Sequence, residues 1–136
     1  MKETPQQYTE RILGYVEGKQ PLDVLSATAN KLDRLIKDMS TAELRKRPAP
    51  EKWSVKEIVA HLADGEIVIG FRMRFIRGSP GSPVVAYDQD KWVISGHYDK
   101  RDPHRSWGQF RVLREEKSCA ASIARARAVE ALWRAF

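Results

Sequence analysis

Three side chains within the stretch EKWSVKEIVAHLADGE, residues 51–66, are of types that do chemistry together. His61 has Glu57 one turn before it and Asp64 one turn after it. On a helix those spacings place an imidazole and two carboxylates on one face. Imidazole is a common metal ligand, and a neighbouring carboxylate can orient it from behind or act as a base. Each carboxylate also has a plainer reading. Ser54 followed by Glu57 is the pattern of a helix capping box, and Asp64 reads as a solvated charge. HExxH is absent, which excludes a zinc protease of that type.

The other candidates are isolated. His97 and His104 flank a Tyr-Asp-Lys-Arg-Asp-Pro loop, are separated by Pro103, and read as exposed loop histidines. Cys119 is the one cysteine; it excludes an internal disulfide, fits a reducing compartment, and reads as a buried structural thiol. No serine sits in a G-x-S-x-G elbow, and no glycine-rich phosphate loop follows a strand.

With 136 residues, 42% of them hydrophobic and 31% charged, the chain reads as one globular domain, 1–136, able to bury a core without disulfides. The N-terminus lacks the apolar core of a signal peptide, and no run approaches the roughly 20 apolar residues of a membrane span. The expectation is a soluble, cytoplasmic protein with no membrane partner. The formal charge is +6, and residues 101–136 carry eight Lys/Arg against four Asp/Glu. These basic residues alternate with Ala and Glu, which reads as a solvated helix face. No nucleic-acid-binding motif accompanies them, so nucleic acid is not the expected partner.

The elements that must position His61 are helical. Thr4-Pro5 is a cap followed by proline at the first helical position, and Gly18 closes that segment. Pro21 opens a second helix whose stripe is Leu22, Leu25, Leu32, Leu35, Ile36 and Met39. The loop from Ser40 holds one helical turn and two prolines, which forbid a continuous helix. Ser54 caps a third long segment that runs to Arg77 and is stopped by GSPGSP at 78–83. A short helix is expected over Asp88–Ser95, then a polar loop from Gly96 to Arg101. Asp102-Pro103 starts a last helix that runs almost to the end. No lasting period-2 alternation is present, so the fold class is all-α, a helical bundle.

On the His61 helix, Val55, Ile58, Leu62, Ile69, Met73 and Ile76 fall within roughly 60° of one another and read as the core stripe. His61 lies to one side, near Glu57, Asp64 and Val68, with Phe71 and Phe75 further round. Those two phenylalanines read either as core or as contact with a second subunit. In the tail, Trp107, Phe110 and Leu113 define one face, while Cys119, Ile123, Ala126, Val129, Trp133 and Phe136 define another. Two explanations remain open: a turn near Lys117-Ser118 that starts a fourth helix, or one long helix of about 50 Å that buries its second face against a partner.

The pattern W-S-x-x-E-x-x-x-H-L-x-D-x-E resembles the DinB/YfiT-like superfamily, and so do the flanking LSATANKLDRLIKDMSTAELRKRPAP and DKWVISGHYDKRDPHRSWGQFRVLRE. The resemblance spans about residues 20–117 and leaves 118–136 as an atypical tail. It implies an antiparallel four-helix bundle, commonly a homodimer, with the fourth helix here short, altered or replaced by a long C-terminal helix. It also implies a divalent metal, nickel or zinc, held by one histidine, which by motif is His61, and by an HxxxH pair on the last helix. That pair is missing, because no histidine lies beyond His104. The expected function is therefore a metal-binding bundle with a degenerate site centred on His61, related to metal-dependent or thiol-dependent transferases and hydrolases of small molecules. The alternative is a non-catalytic dimeric bundle with a stress-response or interaction role.

Overall fold

The computed structural model describes residues 3–123, with side chains as far as Ser118. Six helices occur there and no strand: α1 (Pro5–Gly14), α2 (Pro21–Ile36), α3 (Thr41–Arg45), α4 (Val55–Gly78), α5 (Gln89–Ser95) and α6 (Pro103–Ile123). None is long and apolar enough to cross a membrane.

The helix starts follow from local chemistry. Thr4 with Gln7, Ser40 with Glu43, and Ser54 with Glu57 each form a complete capping box. In each, a hydroxyl takes an orphan amide and the third residue returns to the cap amide. Pro5 and Pro21 occupy first helical positions, where a missing N–H costs nothing. Asp88 and Asp102 cap α5 and α6 through their carboxylates.

The small core lies where three helices meet. Ala29 of α2, Ala63 of α4 and Phe110 of α6 are buried together, with Leu32, Leu62 and Trp107 packed around them. Trp107 stacks on Phe110 and donates its indole N–H to Asp33 at 3.0 Å, which fixes α6 against α2. The pairs Asp33–Trp107 and Ala29–Phe110 show that α2 runs opposite to α6. The pairs Lys56–Asp99, Asp64–Arg101, Glu66–Arg114 and Arg74–Glu116 show that α4 and α6 run in the same sense. The chain between α4 and α6 must therefore return the length of the bundle, and it carries α5 on the way.

The buried face of α4 is not the expected stripe. Val59, Ala60, Ala63, Glu66 and Gly70 are buried, whereas Ile58 is 42% exposed, and Leu62, Ile69, Met73 and Ile76 are only half-buried. The reason is shape. Small residues on α4 let α6 approach closely enough to seat Phe110, Arg114 and Lys117 against it, so the sequence's largest hydrophobes do not mark the seam. Leu35 of the expected α2 stripe is also exposed, at 71%. Phe71 and Phe75 stack on each other at 5.5 Å on the outside of α4.

Across the α4–α6 seam lies a buried charge cluster. Glu66 accepts a hydrogen bond from Arg114 and forms an ion pair with Lys117; all three are largely shielded from water. Burial lowers the Lys117 pKa, and Glu66 opposes the shift. Helix α6 passes through Lys117-Ser118 without a break as far as Ile123. A fourth helix starting at that turn is thereby ruled out. The expected second face of the tail, and the Cys119 thiol with it, lies outside the described side chains.

Candidate functional site: the flank of α4 around His61

Helix α4 presents Glu57, His61 and Asp64 in the predicted order along one flank. The structure gives them separate tasks. Glu57 is 1% exposed. It accepts from the Ser54 amide at 2.8 Å and from the Ser54 hydroxyl at 2.7 Å, and both its oxygens accept from Arg47. Burial alone would raise its pKa; Arg47 and Ser54 together bring it below the ordinary carboxylate value. Glu57 is thus committed to the capping box and to Arg47.

Asp64 is also engaged, through one bond to each oxygen, and the expectation of a solvated charge fails. It accepts from the Tyr98 hydroxyl at 2.7 Å and from Arg101 at 2.7 Å. Arg101 lies over the Tyr98 ring at 4.6 Å and donates to the Gly96 carbonyl at 3.1 Å. Tyr98 is fully buried, and its burial and the carboxylate beside it push its pKa well up. The loop is held to close tolerances. A Cβ at Gly96 would lie 2.7 Å from the Trp92 carbonyl oxygen and 2.8 Å from the Tyr98 ring. His97 takes a left-handed φ of 47°, a turn conformation that costs a non-glycine residue energy.

His61 remains. Its ring meets the edge of Trp53 at 5.1 Å, and its Nδ1 is buried without a hydrogen-bond partner among the described residues. Burial lowers its pKa, against the opposing pull of the Asp64 and Asp90 carboxylates. Burial thus favours the neutral imidazole, the form that binds metals. A buried ring nitrogen without a partner is costly and is the feature expected of a donor. The remaining donors do not assemble around it. No three His, Cys, Asp or Glu side chains that could hold a metal ion stand together among the described residues. His97 and His104 are both exposed, as expected. The side chains present thus do not by themselves fit a metal ion.

Arg47, Tyr98, Arg101 and Asp90 were not legible as neighbours of this flank. Arg47 reaches it from the loop after α3, Asp90 from α5, and Tyr98 and Arg101 from the loop before α6. The one hint was Tyr98, an aromatic residue inside a polar stretch.

A family model described as the DinB superfamily matches residues 25–136, further toward the C-terminus than the sequence resemblance reached. One curated relative, from Oceanobacillus iheyensis, bears the name "Putative metal-dependent hydrolase" and is 26% identical over 73 residues. The match covers 54% of this chain and 42% of that protein, so the chain spans less than half of the relative's length. Among solved structures, YfiT from Bacillus subtilis superposes with a TM-score of 0.71 at 17% identity, covering 93% of this chain and 67% of that one. It is described as a probable metal-dependent hydrolase with an unusual four-helix bundle topology. The shared fold, with the W-S-x-x-E-x-x-x-H pattern at the head of α4 and the family match over most of the chain, makes this protein a member of the DinB superfamily.

Proposed function

We propose that this chain is a degenerate metal-binding bundle in which His61 is the retained donor position, related to metal-dependent hydrolases and transferases of small molecules. The unpartnered, buried Nδ1 of a neutral His61 carries the reading. The name of the Oceanobacillus relative supports it. Nickel or zinc would need further donors from outside the described residues or from a second copy of the chain. Glu57 and Asp64 act as positioning residues: one holds the start of α4, the other holds the 96–101 loop beside it.

Thermal melting with micromolar nickel, zinc or manganese tests this. Binding to the folded state alone raises the midpoint by mass action. A rise in the parent protein that is absent in His61→Ala supports the reading, and no rise with any of the three overturns it.

A second reading is a non-catalytic homodimer. The full engagement of Glu57 and Asp64 in structural bonds favours it, as does the exposed Phe71–Phe75 pair. Sedimentation of Phe71→Ser beside the parent tests it; an unchanged mass for a dimeric parent would clear that face of the interface.

A further inference from the structure

Beside Ser54 and Glu57 at the start of α4, an open cleft of about 450 Å³ is lined by Arg45, Arg47, Lys56, Asp99 and Lys100. Four separate segments supply these residues: α3, the loop after it, the start of α4, and the loop before α6. Four cations face two carboxylates, Glu57 and Asp99.

Neither the capping box nor the helix end accounts for this charge. Ser54 and Glu57 already satisfy each other's amides in the capping box of α4. Arg47 spends its Nε and Nη2 edge on Glu57, which leaves Nη1 with no partner among the described residues. Lys56 is 95% buried; its ammonium donates one hydrogen bond to the Asp99 carbonyl at 2.5 Å and keeps two further N–H groups. Arg45 and Lys100 are exposed, and no partner for their charges occurs among the described residues. A protein gains nothing in stability from gathering like charges around an open cavity, and their repulsion is a cost. Buried Lys56 and the Glu57-braced Arg47 are held in place before any ligand arrives, which lowers the entropy lost on binding.

We propose that this cleft binds a small oxyanion of the phosphate class, with Arg45 offering a forked guanidinium edge, Arg47 its remaining Nη1 group, and Lys56 and Lys100 compact ammonium charge. Guanidinium groups match phosphate geometry through paired N–H donors, and lysine adds point charge. The volume suits inorganic phosphate or a small phosphate monoester.

Calorimetric titration with inorganic phosphate, with glucose 6-phosphate and with sodium chloride at matched ionic strength tests the site. The expected result is saturable binding of phosphate that weakens about tenfold or more in Arg45→Ala/Lys100→Ala. That double variant alters exposed residues only and keeps the parent's melting midpoint in chloride. Tighter binding of glucose 6-phosphate than of phosphate would identify an ester as the ligand, and equal binding the free anion; either supports the site. His61→Ala binds phosphate as the parent does, so failure of the metal reading leaves this result untouched. Identical heats for phosphate and chloride, or undiminished binding in the double variant, overturn the proposal. So does a 20-base-pair duplex that binds the parent and is not displaced by phosphate.

Discussion

The Tyr98 hydroxyl donates to the Asp64 carboxylate at 2.7 Å, across 34 positions of sequence, and the ring beneath it is fully buried. That bond ties the loop before α6 to the middle of α4. It also removes Asp64 from the set of groups free to act beside His61. Tyr98→Phe should lower stability by about 1 kcal/mol, because Arg101 still holds the carboxylate. Asp64→Ala should cost about 1–3 kcal/mol, because it leaves the buried hydroxyl without its acceptor. Urea midpoints of the two variants check the order; equal losses would mean that the loop is held by other contacts.

Glu66→Gln should be among the most damaging single substitutions. It leaves Arg114 and Lys117 at the α4–α6 seam without a counter-charge, at a cost of about 3–5 kcal/mol. Lys117→Met should cost less than about 1 kcal/mol, because Glu66 and Arg114 then balance one to one. Chemical denaturation of both variants, read by circular dichroism, distinguishes them.

Ser54→Ala removes the oxygen that takes the Glu57 amide and should cost about 1 kcal/mol. Glu57→Ala should cost more, since it also strands the Ser54 amide and releases Arg47. In the titration above, Glu57→Ala should weaken phosphate binding through a mobile Arg47. Melting and calorimetry on one sample check both effects.

His61 gives a pH signature of known sign. Its folded pKa lies below the ordinary value of 6.5 because burial disfavours the imidazolium. The unfolded chain therefore takes up the proton first as pH falls. The contribution is fully present above the unfolded value and is lost as pH drops through 6.5 toward the folded pKa. His61→Gln should flatten that part of the stability profile between pH 8 and pH 5. A slope identical to the parent's would show that other groups set it.

Gly96→Ala should destabilise by more than the glycine's chain entropy returns. Its Cβ would meet the Trp92 carbonyl and the Tyr98 ring at distances neither can concede. Gly108→Ala, inside α6 with nothing among the described residues within 4 Å of the added carbon, should show no such loss.

The sequence by itself determined the elements and their starts. Thr4, Ser40, Ser54, Asp88 and Asp102 cap helices through atoms within three residues of themselves, and such local bonds do not depend on the rest of the fold. The W-S-x-x-E-x-x-x-H pattern also marked the superfamily and put Glu57, His61 and Asp64 on one flank. Only the tertiary structure decided which face of α4 is buried. Hydrophobicity pointed to Ile58 and Met73, but close approach of α6 selected Ala60, Ala63 and Gly70, because packing at a helix seam depends on volume as well as polarity. It alone decided the fate of the two carboxylates, since Arg47, Tyr98 and Arg101 arrive from segments whose positions no local pattern encodes. His61 was visible from the start as a side chain able to bind a metal. What the fold added is that its flanking carboxylates hold the structure together, and that its own Nδ1 is buried without a partner among the described residues.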